Sequence, residues 1–121
     1  MTSPFVDITM KGSAEARGVR IWMAGDYDQA KQVCREYCSQ VGACFALTKT
    51  DYVYSGGEEC GFCIYLINYA RFPTNQDELV LQGRAIGDLL LKRLNQGSYS
   101  LEEYGVSNGR TRLISRRSTD S

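Results

Sequence analysis

Between Val19 and Gly97 the periodicity of apolar residues changes three times, and that succession limits the folds open to the chain. A short apolar run is followed by an amphipathic helix pattern. Two strand-like runs joined at a glycine-rich turn come next, then a second helix pattern. Two helical stripes and three strands with short connections can share one core in only a few ways, because each stripe needs a sheet face to cover it.

Val19 to Ala24 is the first strand and Gly25 ends it. Asp26 supplies an N-cap, and Ala30, Val33, Cys34, Tyr37, Cys38 and Val41 recur with helical spacing to Gly42, which suits the C′ position. Ala43 to Tyr54 is rich in Thr, Tyr and Phe, as strands are, and turns polar at Lys49 to Asp51. Ser55-Gly56-Gly57-Glu58 supplies the turn. Cys60 to Tyr69 returns as a nearly continuous apolar run, the pattern of a central strand covered on both faces. Pro73 and Thr74 open the second helix, with Asp77 completing an acidic capping box. Its stripe is Leu79, Gly83, Ile86, Leu90 and Leu94, and Gly97 is expected to stop it. Gly83 and Gly87, four apart, suit a close approach of backbone to the sheet or to a partner helix. Tyr99 to Tyr104 and Arg110 to Ser115 fit a strand pair turned at Asn108-Gly109.

The expectation is an α+β protein, a split β-α-β (ferredoxin-like) sandwich with two helices on a mainly antiparallel sheet and an extra C-terminal hairpin. Residues 1–18 form an arm or edge strand, 19–117 a single domain, and 118–121 a disordered tail.

Composition excludes more than it identifies. Fourteen basic and fourteen acidic residues cancel, so there is no general pull toward nucleic acid or membrane, and nucleic acid is not an expected partner. Low net charge opposes self-association weakly, which favours a homo-oligomer. No apolar run approaches the ~20 residues of a membrane span. Met1 to Met10 carries Asp7 and no basic n-region, so a signal peptide is not expected and the cytoplasm is the expected location. Five cysteines are an odd number, better suited to reduced thiols than to a closed disulfide framework.

The absence of histidine removes Ser-His and Cys-His nucleophile pairs and histidine metal ligands. There is no phosphate-binding loop and no dinucleotide fingerprint. Cys34, Cys38, Cys60 and Cys63 would suit zinc only if a turn brought Cys60 and Cys63 to one side. In a strand, residues three apart face opposite sides, so no metal or other cofactor is expected.

The expected ligand site rests on topology. If the first strand and the Cys60–Tyr69 strand lie parallel and adjacent, the loops Gly25-Asp28 and Asn68-Pro73 leave the sheet together. Asp26, Asn68, Tyr69, Arg71 and Phe72 would then frame a pocket for a small anionic or nucleotide-like ligand at two helix N-termini. Alternatively Asp26 caps its helix and pairs with Arg71, leaving no vacancy. Arg110, Arg112, Arg116, Tyr99 and Tyr104 form an expected interaction surface, since arginines and tyrosines are enriched at interfaces. A charged edge strand is the plainer explanation of those arginines.

Met23-Ala24-Gly25-Asp26, Cys34-Arg35-Glu36-Tyr37-Cys38, Tyr54-Ser55-Gly56-Gly57-Glu58-Glu59 and Leu66-Ile67-Asn68-Tyr69-Ala70-Arg71-Phe72-Pro73 resemble segments of short accessory proteins of tailed phages and prophages. The resemblance spans Val19 to Gly97. It implies a phage-encoded, non-enzymatic binding protein that inhibits a host defence factor by engaging a host protein or a signalling ligand. The alternative is a sensor or enzyme for a small nucleotide-like molecule, working at the two loops.

Overall fold

The computed structural model describes residues 17–68, 74–105 and 111–117 of the chain, the last stretch chiefly as backbone. The elements run β1 (Gly18–Ala24), α1 (Tyr27–Val41), β2 (Ala46–Tyr54), β3 (Gly57–Ile67), α2 (Gln76–Arg93), β4 (Ser98–Tyr104) and β5 (Thr111–Arg117). The strands form one sheet in the order β2-β3-β1-β4-β5, and every neighbouring pair is antiparallel. This is the expected α+β, ferredoxin-like arrangement, with β5 added beyond β4.

Alternation along β1 explains the layering. Val19, Ile21 and Met23 point to the helices and are buried; Phe62, Ile64 and Leu66 of β3 and Leu101 of β4 join them. From the helices come Ala30, Val33 and Cys34, then Leu79, Val80, Ile86, Leu90 and Leu91. Arg20 and Trp22 take the other face, where no described element covers the sheet. Cys63, opposite Trp22 and Thr48 in the register, is nonetheless fully buried. Sandwiched between β2 and β1, β3 is an interior strand.

The close approach expected of Gly83 and Gly87 is made to the sheet. A Cβ on Gly83 would stand 2.9 Å from Val19 Cγ1, and one on Gly87 would stand 2.5 Å from Cζ of Tyr99. Both helices seat their glycine-bearing or small-residue faces on the strands, which brings α2 onto β1 and β4.

Helix ends show where local chemistry was read correctly and where it was not. Gly42 takes φ 73°, and its N–H donates to the Cys38 carbonyl at 2.8 Å, ending α1 as expected. Val41, expected in the apolar stripe, is the last residue of α1 and is 53% exposed. The N-cap of α2 is Asn75, not Thr74: its side chain accepts from the Glu78 N–H at 2.7 Å, while the Thr74 N–H is already donated to Asn68 Oδ1 at 2.7 Å. The same helix stops before Gly97. Asn95 takes φ 55°, and the Gln96 N–H reaches the Leu91 carbonyl at 3.0 Å, a Schellman closure built on asparagine.

The β2–β3 turn is tighter than expected, with only Ser55 and Gly56 between the strands. Turn residues Asn108-Gly109 and the N-terminal arm lie outside the described residues.

Candidate functional site

The antiparallel pairing of β1 with β3 corrects the expected pocket. Gly18 is paired with Ile67 and Ala24 with Gly61, so the chain leaves β1 at one end of the sheet and leaves β3 at the other. About 20 Å of strand separates them. Asp26 therefore does not meet Asn68. Tyr69, Arg71 and Phe72 lie outside the described residues.

At the far end Asn68 is 6% exposed and serves the chain's own backbone. Its N–H donates to the Arg17 carbonyl at 3.1 Å, and its Oδ1 holds the Thr74 N–H. Arg17 also donates to the Thr74 carbonyl. This is a clasp between the end of β3 and the entry to α2.

At the near end the loop Gly25-Asp28 does line a cleft. Gly25 takes φ 142°, a conformation open to glycine, and donates to the Cys60 carbonyl at 3.1 Å. That bond ties the loop to β3 just where β1 stops. Asp26 then caps α1: Oδ1 accepts from Asp28 N–H at 2.8 Å and Gln29 N–H at 3.1 Å. Across from the loop stand Lys49 and Asp51 of β2 and Cys60 of β3, enclosing about 290 Å³. Lys49 and Asp51 pair with Phe62 and Cys60, which sets them on the helix-bearing side of the sheet.

A second cleft of about 290 Å³ lies along the groove between α1 and β2. Lys31 and Arg35 edge it; Cys34, Cys38, Phe45 and Leu47 give it an apolar floor. Tyr27 borders both clefts. The Lys49 ammonium sits 5.4 Å from the centroid of its ring. Three cationic groups, an aromatic face and carboxylates thus line two neighbouring clefts that share Tyr27. Tyr27 lies within the expected Gly25-Asp28 loop, whereas Lys31 and Lys49 were missed, Lys49 because its place beside that loop depends on strand register. The polar break at Lys49 to Asp51 in an otherwise apolar strand was the available signal.

Among the described residues no three His, Cys, Asp or Glu side chains gather in a way that could hold an ion. Cys34 lies in the helix layer, and Cys60 and Cys63 alternate to opposite faces. Burial, with a smaller contribution from Cys38, pushes the Cys34 thiol from 9.0 to about 12. Burial raises Cys63 to about 11. Both are protonated, inert side chains at neutral pH.

The expected interaction surface is corrected at Tyr99. That ring is 2% exposed, packed on Gly87, with its hydroxyl donating to Asp88 Oδ1 at 2.8 Å. Tyr104 lies on the uncovered face, 4.7 Å from the Arg20 guanidinium. Arg112 and Arg116 fall opposite Glu103 and Tyr99 in the β4–β5 register, and Arg110 is outside the described residues. The uncovered face also holds Tyr65, 5.7 Å from the same guanidinium.

No family model and no curated protein matches the sequence. Solved structures do match the fold. A phage SAM lyase in its apo state superposes with a TM-score of 0.72 and 16% identity, over 95% of this chain and 99% of that one. A phage SAM lyase in complex with S-methyl-5′-thioadenosine superposes with a TM-score of 0.63 and 13% identity, over 93% and 97%. These neighbours agree with the phage resemblance and overturn the expectation of a non-enzymatic inhibitor of a host factor, and with it the lean against an enzyme. Both are lyases, and one holds a nucleotide-like molecule. No described helix is long and apolar enough to cross a membrane. At these identities the likeness shows that this chain shares the fold of the phage SAM lyases, and the fold alone.

Proposed function

We propose that this chain is a phage-encoded enzyme that cleaves SAM and releases S-methyl-5′-thioadenosine. The observation that carries the reading is the nearly complete, two-way coverage between this chain and a SAM lyase at a TM-score of 0.72. The cleft beside Gly25-Asp28 gives it residues: carboxylates to accept from ribose hydroxyls, an aromatic ring, and ammonium and guanidinium groups for a substrate carboxylate.

The chemistry suits a chain without histidine. S-methyl-5′-thioadenosine keeps the methyl and adenosyl groups of SAM, so the bond that breaks joins sulfur to Cγ of the methionine chain. The electron pair moves onto sulfur and cancels its positive charge. A neutral thioether leaves without being protonated, so no general acid is required. The four-carbon fragment can close through its own carboxylate, forming a Cγ–O bond, which needs no protein base. The protein's task is then to fold the substrate so that the carboxylate lies behind the S–Cγ bond.

The uncovered face, with Arg20, Trp22, Tyr65 and Tyr104, supports self-association into a homo-oligomer. The phage origin of both neighbours supports action in the host cytoplasm. The decisive experiment incubates purified protein with SAM and follows products by mass spectrometry. Stoichiometric S-methyl-5′-thioadenosine with a lactone of the four-carbon fragment is the expected result. Unchanged SAM, with the protein shown to be folded, overturns the proposal.

A further inference from the structure

The two clefts share one lining residue. Tyr27 borders both, and its position is fixed from each direction. It follows Asp26 directly as the first residue of α1, so the capping bonds to Asp28 and Gln29 hold its backbone. Its ring packs against the hydrophobic core. Over that ring, 5.4 Å from its centroid, stands the Lys49 ammonium. An ammonium over a tyrosine ring marks a place where positive charge is favoured, because the ring's quadrupole presents its negative face there.

SAM has a matching layout. Its charge lies on sulfur, the atom that joins the adenosyl group to the four-carbon amino-acid chain. A molecule laid across both clefts would bring that sulfur near Tyr27, the residue they share. Asp28 and Asp51 on one side can accept from the ribose hydroxyls, and Lys31 and Arg35 on the other can face the carboxylate.

We propose that the ring of Tyr27 is the seat of the substrate's sulfonium, and that Lys49 is the resident cation the substrate displaces. This deepens the SAM-cleavage reading and rests on it. It makes Tyr27 a specificity-determining residue: it distinguishes cationic SAM from neutral thioethers that share the rest of its structure. When the S–Cγ bond breaks, sulfur becomes neutral, the ring loses its cation and Lys49 returns. Substrate is thereby preferred over product by the feature that the reaction removes.

The test uses two adenosyl ligands that the enzyme cannot cleave in this way. Sinefungin carries an ammonium where SAM carries its sulfonium; S-adenosylhomocysteine is the neutral thioether. By titration calorimetry the wild type should prefer sinefungin by about tenfold, within the range of a desolvated cation–π contact. Tyr27→Phe should keep that preference and Tyr27→Leu should reduce it to below about twofold. Lys49→Met, a change on an exposed strand position that spares the core, should tighten sinefungin about threefold and leave S-adenosylhomocysteine unchanged. A preference that survives Tyr27→Leu, or sinefungin affinity unmoved by Lys49→Met, overturns this inference while product formation by the wild type still supports SAM cleavage. A folded wild type that binds neither ligand and leaves SAM intact overturns both.

Discussion

The indole Nε1 of Trp22 donates to Glu102 Oε1 at 3.1 Å, from β1 across to β4 on the face of the sheet that the helices leave bare. Arg20, one pleat away on the same strand, reaches the same carboxylate at 3.4 Å. One acid therefore serves a neutral and a charged donor together. Glu102→Ala should lower stability by about 1–2 kcal/mol in urea, chiefly by leaving the indole N–H without its acceptor. Arg20 is too exposed for its ion pair to add much. Trp22 is the only tryptophan, so its emission should shift in the same variant, and an unchanged spectrum would place the indole elsewhere.

Gly87→Ala sets helix propensity against packing. In an exposed helix the change gains about 1 kcal/mol. Here the new methyl would lie 2.5 Å from the ring of Tyr99, which Asp88 anchors through its hydroxyl. Overpacking of this kind costs about 1–3 kcal/mol, so net destabilisation is expected, read as a lower urea midpoint at an unchanged slope.

The start of α2 discriminates between two adjacent caps. Asn75→Ala should cost about 1 kcal/mol, because the Glu78 N–H loses its acceptor. Thr74→Ala should cost a few tenths at most, since it is the backbone N–H of Thr74 that Asn68 holds. Equal losses from the two changes would refute the assignment.

High pH should destabilise the fold. Cys34 and Cys63 are raised from 9.0 to about 12 and about 11 by burial, and burial raises Tyr52 from 10.0 to about 12. In the unfolded chain these groups release protons at their ordinary values, so the unfolded state gains first. Stability is fully present below about 9 and falls as pH climbs toward the folded values. A melting temperature constant from pH 7 to 8.5 and lower by more than about 4 °C at pH 10.5 is the expected result for a domain of this size. At pH 8, iodoacetamide should label exposed Cys44 and Cys60 and spare Cys34 and Cys63.

Much of this architecture was legible because its signals are local. Gly42 ends α1 and Asp26 begins it through bonds that span a few residues, and the alternation in β1 and β3 needs no knowledge of neighbours. Where the reading failed, a distant partner decided. The cap of α2 fell to Asn75, whose side chain accepts from the Glu78 N–H, while the Thr74 N–H is held by Asn68, six residues earlier. Tyr99 became core because α2 offers a glycine beneath it. The expected pocket divided because the relative direction of β1 and β3 is written in no single segment. Half of it, the Gly25-Asp28 loop with Tyr27, remained at a cleft, and its companion Lys49 came from the register of β2.

The strand order also governs when the molecule can be completed during synthesis. β1, the first described strand to be made, occupies the middle of the sheet and pairs with β3 on one side and β4 on the other. One of its edges must wait until Tyr104 has emerged, after both helices, β2 and β3 have been made. Nascent chains therefore carry an unsatisfied, strongly apolar ribbon through that whole interval. Their risk of sticking to one another is set by how quickly β4 follows β1.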